Sequence, residues 1–409
     1  MRFGPGRAAL LGALLTVVTG ILTLEKVGEV LRFLSLPVLT IVSLMVITLI
    51  AESAGFFRVL AWRIAVAARG DGRRLFTYLF FTGTVTGALF TNDAAVLIFT
   101  PMVFRLVEEI QDDWKPSQKV VYYFAVLYVA NLVGPLVISN PINLIVASWF
   151  DIGFAEYAAW MIGPALVSIV VTYVGMRIFF RSSIPTTYRI PQGEPARTER
   201  SPFNAACLAV LGLTLLGFFT EEWTGFPTVW VAASGAGLLL LLHVLLAKRS
   251  ATEIVRGVGW DVIVFMVGIF IVDNALRAVG FTDIVGRFIA ASTGAGESAS
   301  HFVTGFTAAG CSAVMNNHPV AGTMALAISD IDMTTGAQRM HAYAALIGGD
   351  LGPKMLPIGS LAALLWFRIL RSRGVEVSYW LYVRIGVPVT LIAILLSILA
   401  LNVQHAFFG

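Results

Sequence analysis

Apolar runs of about 20 residues recur along the chain, each long enough to cross roughly 30 Å of hydrocarbon as a helix. Short loops that carry charges, glycine or proline separate them. The first run follows Arg2 and Arg7 but has no small-residue cleavage pattern before Glu25, so we interpret it as a spanning helix and not as a signal peptide. The pattern predicts nine spans, near residues 8–23, 36–55, 119–150, 158–180, 203–219, 227–247, 260–282, 340–370 and 379–403.

Two further apolar segments, 75–110 and 300–329, are interrupted in the middle by polar residues. Thr91-Asn92-Asp93 breaks the first, and Asn316-Asn317-His318-Pro319 breaks the second. Backbone that leaves the helix at membrane depth is tolerated only where protein buries it or water reaches it. We therefore predict an all-α polytopic membrane protein with two re-entrant hairpins whose tips stop inside the bilayer.

The composition supports a membrane protein over a soluble one. Hydrophobic residues make up 57% of the 409 residues, and charged residues only 13%. Such a chain has too little polar surface to cover a soluble globule of this size. Cys207 and Cys311 lie on well-separated segments, which gives no disulfide framework and no paired metal spacing.

The distribution of lysine and arginine predicts the orientation of the chain, because cytoplasmic loops are enriched in these residues. With the N-terminus inside, most of the 28 basic residues face the cytoplasm, and the segment 181–202 becomes a cytoplasmic linker. An even number of spans would place the basic residues of the second half on the wrong side, so nine spans are favoured. The C-terminus is therefore predicted on the outer side of a bacterial or archaeal inner membrane. The five basic residues predicted outside are Lys26, Arg32, Arg277, Arg287 and Arg339.

The two halves of the sequence share short matches in the same order. Gly55-Phe56 matches Gly280-Phe281, Thr91-Asn92-Asp93 matches Asn316-Asn317-His318, and Gly134-Pro135 matches Gly352-Pro353. By the charge-based topology the halves are antiparallel, which is the inverted-repeat plan of secondary transporters. We predict a first repeat over 1–180 and a second over 203–409, each with a hairpin (75–110, 300–329) and a broken transmembrane helix (119–150, 340–370).

Four polar breaks at matched places predict a shared binding site. They lie at residues 91–93, 139–143, 316–319 and 350–354, the last continuing to 357–360. Each break frees N–H groups at the start of the next half-helix, which offer donors and partial positive charge. Asn92, Asn140 and Asn317 fit as N-caps, and Pro141 and Pro319 fit the first helical turn. Any one of them alone is explained equally well as a cap and nothing more.

Caps do not explain the charged residues Asp93, Asp350 and Lys354. A charge at the bilayer centre costs at least about 2.5 to 3.5 kcal/mol on insertion scales, so these groups are expected to pair or titrate. We predict that Lys354 neutralises Asp350 or Asp93 and that one carboxylate exchanges a proton; a permanent structural ion pair is the alternative. His318 is a candidate proton carrier or a hydrogen-bonded residue of the hairpin tip.

Glu52 and Asp273 stand at equivalent positions of the two repeats. We interpret both as interfacial or capping groups near helix ends, with a transport role as the alternative. Cys311 is interpreted as a small residue that packs between helices.

At these residues the chain resembles the arsenical pump membrane protein family, over about Leu39 to Ala400. The resemblance rests on residues 52–57, 88–93, 139–143, 315–317, 350–354 and 357–361. It implies extrusion of trivalent arsenite and antimonite, driven by the proton gradient alone or with a soluble ATPase subunit. It also implies no enzymatic activity, no cofactor, no resident metal and no nucleic acid, with the bilayer, protons and arsenite or antimonite as partners.

The chain departs from the family at two positions: Gly349 stands where some members carry cysteine, and His318 stands where methionine is common. Only Cys311 lies near a hairpin tip, so capture of arsenic by three thiolates is excluded. The substrate is then better described as neutral arsenous acid bound by hydrogen bonds. The predicted substrate-binding residues are Asn92, Ser139, Asn140, Asn143, Asn316, Asn317, Gly359 and Ser360, and the predicted proton-coupling residues are Asp93, Asp350, Lys354 and His318.

Other functions remain open at the sequence level. The same architecture serves sodium/proton exchange and the transport of silicic acid or carboxylates, although Asp93 would repel an anion. A membrane enzyme or a structural scaffold is a further alternative. The chain has no phosphate-binding loop pattern, so it does not hydrolyse ATP itself.

Overall fold

The computed structural model describes residues 4–110, 114–190 and 202–408, without the side chains of residues 92–95, 97, 109 and 110. The side chains of Asn92 and Asp93 therefore lie outside the described residues, as does the 191–201 part of the predicted linker. Within the described ranges the regular structure is helical and includes no strand. The helices are α1 (Pro5–Val18), α2 (Leu24–Ser53), α3 (Phe56–Ala67), α4 (Gly72–Leu89), α5 (Asn92–Ile110), α6 (Pro116–Val129), α7 (Pro141–Trp149), α8 (Phe154–Phe179), α9 (Pro202–Phe219), α10 (Glu221–Thr224), α11 (Thr228–Leu245), α12 (Ala251–Gly257), α13 (Trp260–Ala278), α14 (Phe281–Thr293), α15 (Glu297–Met315), α16 (Asn317–Ser329), α17 (Thr335–Leu351), α18 (Leu361–Ser372) and α19 (Tyr379–Phe408).

Five of these helices are long and apolar enough to cross a membrane alone: α2, α8, α9, α11 and α19. A sixth span is available if α12 and α13, which meet at a 42° bend, act together. The predicted spans 119–150 and 340–370 consist of shorter helices joined through irregular segments. The predicted span 8–23 corresponds to α1, which has only 14 residues.

Helix α2 corrects the boundary predicted for the second span. It begins at Leu24 instead of residue 36 and keeps Pro37 in its interior. The side chain of Thr23 accepts a hydrogen bond from the backbone N–H of Lys26 and caps the helix. Lys26 and Arg32, which we placed in an outer loop, therefore belong to the first turns of a helix.

The same series of elements occurs twice. In each half a long helix is followed by a short helix, a two-helix hairpin, a broken helix and a final long helix, namely α2 to α8 and then α13 to α19. Gly55 and Gly280 precede the matching short helices α3 and α14, and both adopt left-handed backbone conformations, with φ of 77° and 82°. These features support the predicted repeat, whose inverted orientation stays a prediction.

Helices of the two halves pack across each other. Helix α1 packs on α13, α11 on α2, and α8 on α19. The half-helix α7 contacts α16 of the second hairpin, and the half-helix α18 contacts α5 of the first hairpin. Because each half-helix packs against the hairpin of the opposite half, all four breaks lie toward the interior of the protein.

Both predicted hairpins are present as helix–break–helix units, α4–α5 and α15–α16. The caps differ from the prediction by one residue. Helix α16 begins at Asn317, and its cap is Asn316, whose side chain accepts a hydrogen bond from the His318 N–H. Asn316 adopts a positive φ of 79°, which turns its side chain back onto the helix start. Helix α5 likewise begins at Asn92, so Asn92 is a helical residue and not the cap.

Candidate functional site

The first broken helix is interrupted between Val129 and Pro141. A short 3-10 turn, Val137–Ser139, leads into Asn140, whose side chain accepts a hydrogen bond from the Ile142 N–H at 3.3 Å. Pro141 occupies the first position of α7, as predicted, since a proline there loses no helical hydrogen bond. Asn140 thus ends the break as a helix cap.

Gly134 is the most crowded residue of this break. A Cβ atom there would collide with the Ser139 Oγ and would lie 2.5 Å from the Asn143 Nδ2. Its N–H donates to Asp350, and its carbonyl accepts a hydrogen bond from the Tyr157 hydroxyl at 3.3 Å. Only glycine leaves enough space for these polar groups to meet.

Asp350 joins the second half of the chain to this break. Its carboxylate accepts hydrogen bonds from the Gly134 N–H at 3.0 Å and from the Asn140 Nδ2 at 2.7 Å. The side chain is completely buried near the end of α17. Two short donors stabilise a carboxylate in a medium where an unpaired charge is costly, so Asp350 binds the first half to the second.

Lys354 is buried one turn beyond Asp350 and points to a different neighbour. Its ammonium donates to the Thr172 Oγ1 of α8 at 3.4 Å and lies 5.8 Å from the centre of the Tyr128 ring. Among the described residues no ion pair within 4.0 Å joins Lys354 to Asp350, because the carboxylate faces Gly134 and Asn140. Pairing of Lys354 with Asp93 lies outside the described residues and stays a prediction.

The second broken helix ends at Ser360, the counterpart of Asn140. Ser360 caps α18 by accepting a hydrogen bond from the Ala363 N–H, and it also accepts one from the Asn131 Nδ2 at 3.2 Å. Gly359 lies against the hairpin helix α15, since a Cβ atom there would approach the carbonyl oxygens of Ser312 and Ala313 to 2.8 Å. Three pairs of residues therefore link the two breaks: Asn131 and Ser360, Gly134 and Asp350, and Asn140 and Asp350.

The tip of the second hairpin holds His318. Its Nδ1 lies 2.9 Å from the Asn317 Oδ1 and 3.1 Å from the Asn316 Oδ1, so Nδ1 is the donor. Its Nε2 is buried and has no hydrogen-bond partner. The ring packs 5.7 Å from Phe265 of α13. The Nε2 of His318 is therefore the ring nitrogen that can accept a hydrogen bond from another group.

A small apolar crevice lies between α7, α16 and α17. Its lining includes Ile142 near the start of α7, Val320 in the first turn of α16, and Gly349 next to Asp350. The Ser312 hydroxyl of α15 also donates to the Gly349 carbonyl at 2.9 Å. The second hairpin and both broken helices therefore meet around Asp350.

The predicted site residues whose side chains are described are all buried. They are Ser139, Asn140, Asn143, Asn316, Asn317, Ser360, Asp350, Lys354 and His318, together with Gly359. Most of these polar groups are engaged within the protein. Asn143 differs from them, because in the described part of the chain neither its Oδ1 nor its Nδ2 makes a well-formed hydrogen bond, although its amide lies beside the Asp350 carboxylate.

Comparison with known proteins agrees with this architecture. The chain matches the arsenical pump membrane protein family over residues 3–404. It is 33% identical over 405 residues to an arsenical pump membrane protein of Escherichia coli, with 98% of this chain and 94% of the relative covered. The chain belongs to the arsenical pump membrane protein family. This confirms the resemblance seen in the sequence.

Other proteins are similar to this chain at equal or lower identity. The Yersinia enterocolitica protein is 32% identical, covering 98% of this chain and 93% of the relative. An uncharacterized transporter of Mycobacterium tuberculosis is 24% identical over 89% of this chain and 85% of its own. The solved YdaH transporter of Alcanivorax borkumensis shares the fold, with a TM-score of 0.63, 13% identity, and coverage of 99% of this chain and 98% of that chain.

Sequence reasoning missed several residues of this family member's site. Asn131, Gly134 and Thr172 reach the site through hydrogen bonds that join distant segments. The signals in the sequence are weak: Asn131 and Thr172 are isolated polar residues in apolar runs, and Gly134 belongs to the Gly134-Pro135 match between the two halves. Asp273 was predicted to be interfacial or capping, but it is completely buried within α13, because α16 covers it. Glu52, its predicted equivalent, is exposed near the end of α2.

Proposed function

We propose that this protein exports arsenite, as neutral arsenous acid, and antimonite across the inner membrane in exchange for protons. The observation that carries the proposal is the buried amide of Asn143, which lies beside Asp350 but makes no well-formed hydrogen bond among the described residues, at the meeting of the two broken helices in a chain of the arsenical pump family. Arsenous acid is a small uncharged solute with three hydroxyl groups. An amide that offers one acceptor and two donors matches such a solute.

The other predicted binding residues support the site in different ways. Asn140 and Ser360 hold the starts of α7 and α18, and each also links the two halves. The first turns of these half-helices offer N–H groups and partial positive charge to a hydroxyl oxygen. Asn316 and Asn317 fix the ring of His318, whose Nε2 remains available as an acceptor. Ser139, Gly359 and Asn92 complete the proposed set.

Proton coupling rests on the ionisable groups that the interior holds. Asp350 and Lys354 are both buried, four residues apart in the sequence, and form no direct ion pair with each other. His318 is buried at the hairpin tip. Asp93 completes the predicted set. Groups of this kind inside a membrane protein are costly, so a role in moving protons explains their presence. An ATPase subunit adds to this drive only as a partner, since the chain carries no phosphate-binding loop.

Reconstituted transport tests the proposal. Proteoliposomes with an imposed pH gradient are expected to accumulate arsenite, and collapse of the gradient with a protonophore is expected to stop it. Absence of arsenite uptake would contradict the assigned substrate. Proton flux that needs sodium and ignores arsenite would indicate sodium/proton exchange instead. Arsenite uptake that is insensitive to pH would support the assigned substrate and contradict the coupling to protons.

A further inference from the structure

Asp273 is a second completely buried carboxyl group, and its surroundings differ from those of Asp350. It lies on α13 and faces α16, the second helix of the second hairpin. Its Oδ1 accepts a hydrogen bond from the Thr323 hydroxyl at 3.2 Å, whereas its Oδ2 has no partner. A Cβ atom at Gly322 would collide with this Oδ2, so the backbone of α16 packs directly against the carboxyl group.

Among the described residues, no cation forms an ion pair with Asp273. The ionisable groups on the helices that pack on α13 are Arg7 on α1, Glu25, Lys26, Glu29, Arg32 and Glu52 on α2, Asp283 and Arg287 on α14, and His318 on α16, with Asp261 and Arg277 on α13 itself. In the described part of the chain, Thr323 is the one group that hydrogen bonds to Asp273, and no ion pair involves it. Arg277, one turn away, pairs with Asp330 instead.

The two buried carboxyl groups therefore suit different tasks. Asp350 receives two short donors from the first half and links the two broken helices, besides its predicted part in proton coupling. An ionised Asp273 would have one neutral donor and no counter-charge, which is the situation in which a buried carboxyl group holds a proton. If α16 moved away, water and other donors would reach the group and favour release of that proton.

A depression open to the surface lies near the end of α13, close in sequence to Asp273. The next residue, Asn274, lines it with Thr23, Lys26 and Arg277, at the start of α2 and the end of α13. This depression encloses about 810 Å³ including its open mouth. The charge distribution of the sequence assigns Lys26 and Arg277 to the outer side.

We propose that Asp273 is a proton-carrying residue of the transport cycle, loaded from the outer side and discharged when α16 separates from α13. The proposal rests on the proposed proton-coupled export, and it adds a site to the groups predicted from the sequence. Thr323 acts as a positioning residue, because its hydroxyl holds one carboxyl oxygen and leaves the other facing Gly322. The second hairpin is then the element whose movement the proton controls.

Asp273→Asn in proteoliposomes tests the proposal, because asparagine keeps the shape and the Thr323 contact but carries no exchangeable proton. Accumulation of arsenite driven by a pH gradient is expected to fall to the level measured without a gradient. Arsenite–arsenite exchange at equal pH, which needs no net proton movement, is expected to persist. The matched control is Asp283→Asn, which removes an exposed acid on the neighbouring helix α14 and should change neither reading.

Thr323→Val is the second variant. It tests the pH dependence of uptake, which would not change if Asp273 and Thr323 had only a structural role. The hydroxyl favours the charged carboxylate, so its loss should raise the pH at which gradient-driven uptake is half-maximal. Gradient-driven accumulation by Asp273→Asn at the wild-type level would overturn the proposal. So would an unchanged pH profile for Thr323→Val. If the wild type itself transports arsenite without regard to pH, the proposed coupling fails as a whole, which is a separate result.

Discussion

Asn140 donates a hydrogen bond from its amide to Asp350 across 2.7 Å, and its amide oxygen caps α7 at the same time. One side chain thereby ends a break in the first half and binds a carboxylate of the second half. The two halves meet at this residue in the interior of the protein, where neither partner has access to bulk solvent. The stability of the site and the relative position of the halves depend on the same contact.

Asn140→Ala is expected to lower stability and transport together. Loss of the cap costs about 0.5–2 kcal/mol, and loss of the hydrogen bond to a buried charge about 1.5–3 kcal/mol, although the two are not additive. Thermal unfolding in detergent and arsenite uptake in proteoliposomes measure the two effects. Thr334→Ala removes the cap of α17 without touching a charge, so it should cost about 1 kcal/mol and leave uptake intact. Equal behaviour of the two variants would contradict the linking role of Asn140.

Gly134→Ala is expected to abolish transport. The added methyl group would meet Ser139 and Asn143, which cannot both move without leaving the break. Overpacking of this kind typically costs about 1–3 kcal/mol, and here it would also displace the N–H that binds Asp350. Gly237→Ala on α11 is the control, because nothing lies within 4 Å of the new Cβ, and helix propensity favours alanine by about 1 kcal/mol. Retained uptake by Gly134→Ala would show that the crowding is relieved easily.

Local features of the fold could be predicted from the sequence, and long-range ones could not. The breaks at Asn140, Asn316 and Ser360 follow from polar and proline residues inside apolar runs, since caps act on their own neighbours. The neutralisation of Lys354 by Asp350 or Asp93 stays a prediction: no direct ion pair joins Lys354 to Asp350, and the Asp93 side chain lies outside the described residues. Asn131 and Thr172 reach the site through partners more than a hundred residues away. The burial of Asp273 depends on how α16 packs, which no local pattern contains.

Arg339 links the start of α17 to the connection between α7 and α8, so Arg339→Lys is expected to destabilise the protein. Its guanidinium binds the Phe150 carbonyl at 3.1 Å, the Asp151 carbonyl at 2.6 Å and both carboxylate oxygens of Glu156. Lysine cannot reproduce this fork, and we expect a loss of about 1–2 kcal/mol after allowance for partial exposure. Thermal unfolding measures it. Lys26→Ala, which breaks an exposed pair with Glu29, should have little effect, and a larger effect than that of Arg339→Lys would contradict this ranking.

Asn143→Leu separates a binding role from a structural one. The amide is buried and makes no well-formed hydrogen bond among the described residues, although it lies beside Asp350. Its replacement by an apolar side chain of similar size removes a poorly satisfied group and a weak contact to Asp350, so it should change stability by no more than about 1 kcal/mol. A residue that holds the fold would lose more. If the amide binds arsenous acid, uptake should fall, and the arsenite concentration for half-maximal uptake should rise.

The measurement is thermal unfolding alongside the concentration dependence of arsenite uptake in proteoliposomes. Thr390→Val on α19 serves as the control, because the Thr390 hydroxyl is also buried without a partner, on another helix. Both substitutions should preserve stability, but only Asn143→Leu should weaken uptake. Normal uptake by a stable Asn143→Leu protein would remove Asn143 from the binding site. Natural proteins retain unsatisfied polar groups mainly where function requires them, which favours the binding role. A marked loss of stability in Asn143→Leu would instead assign Asn143 to the packing of α7.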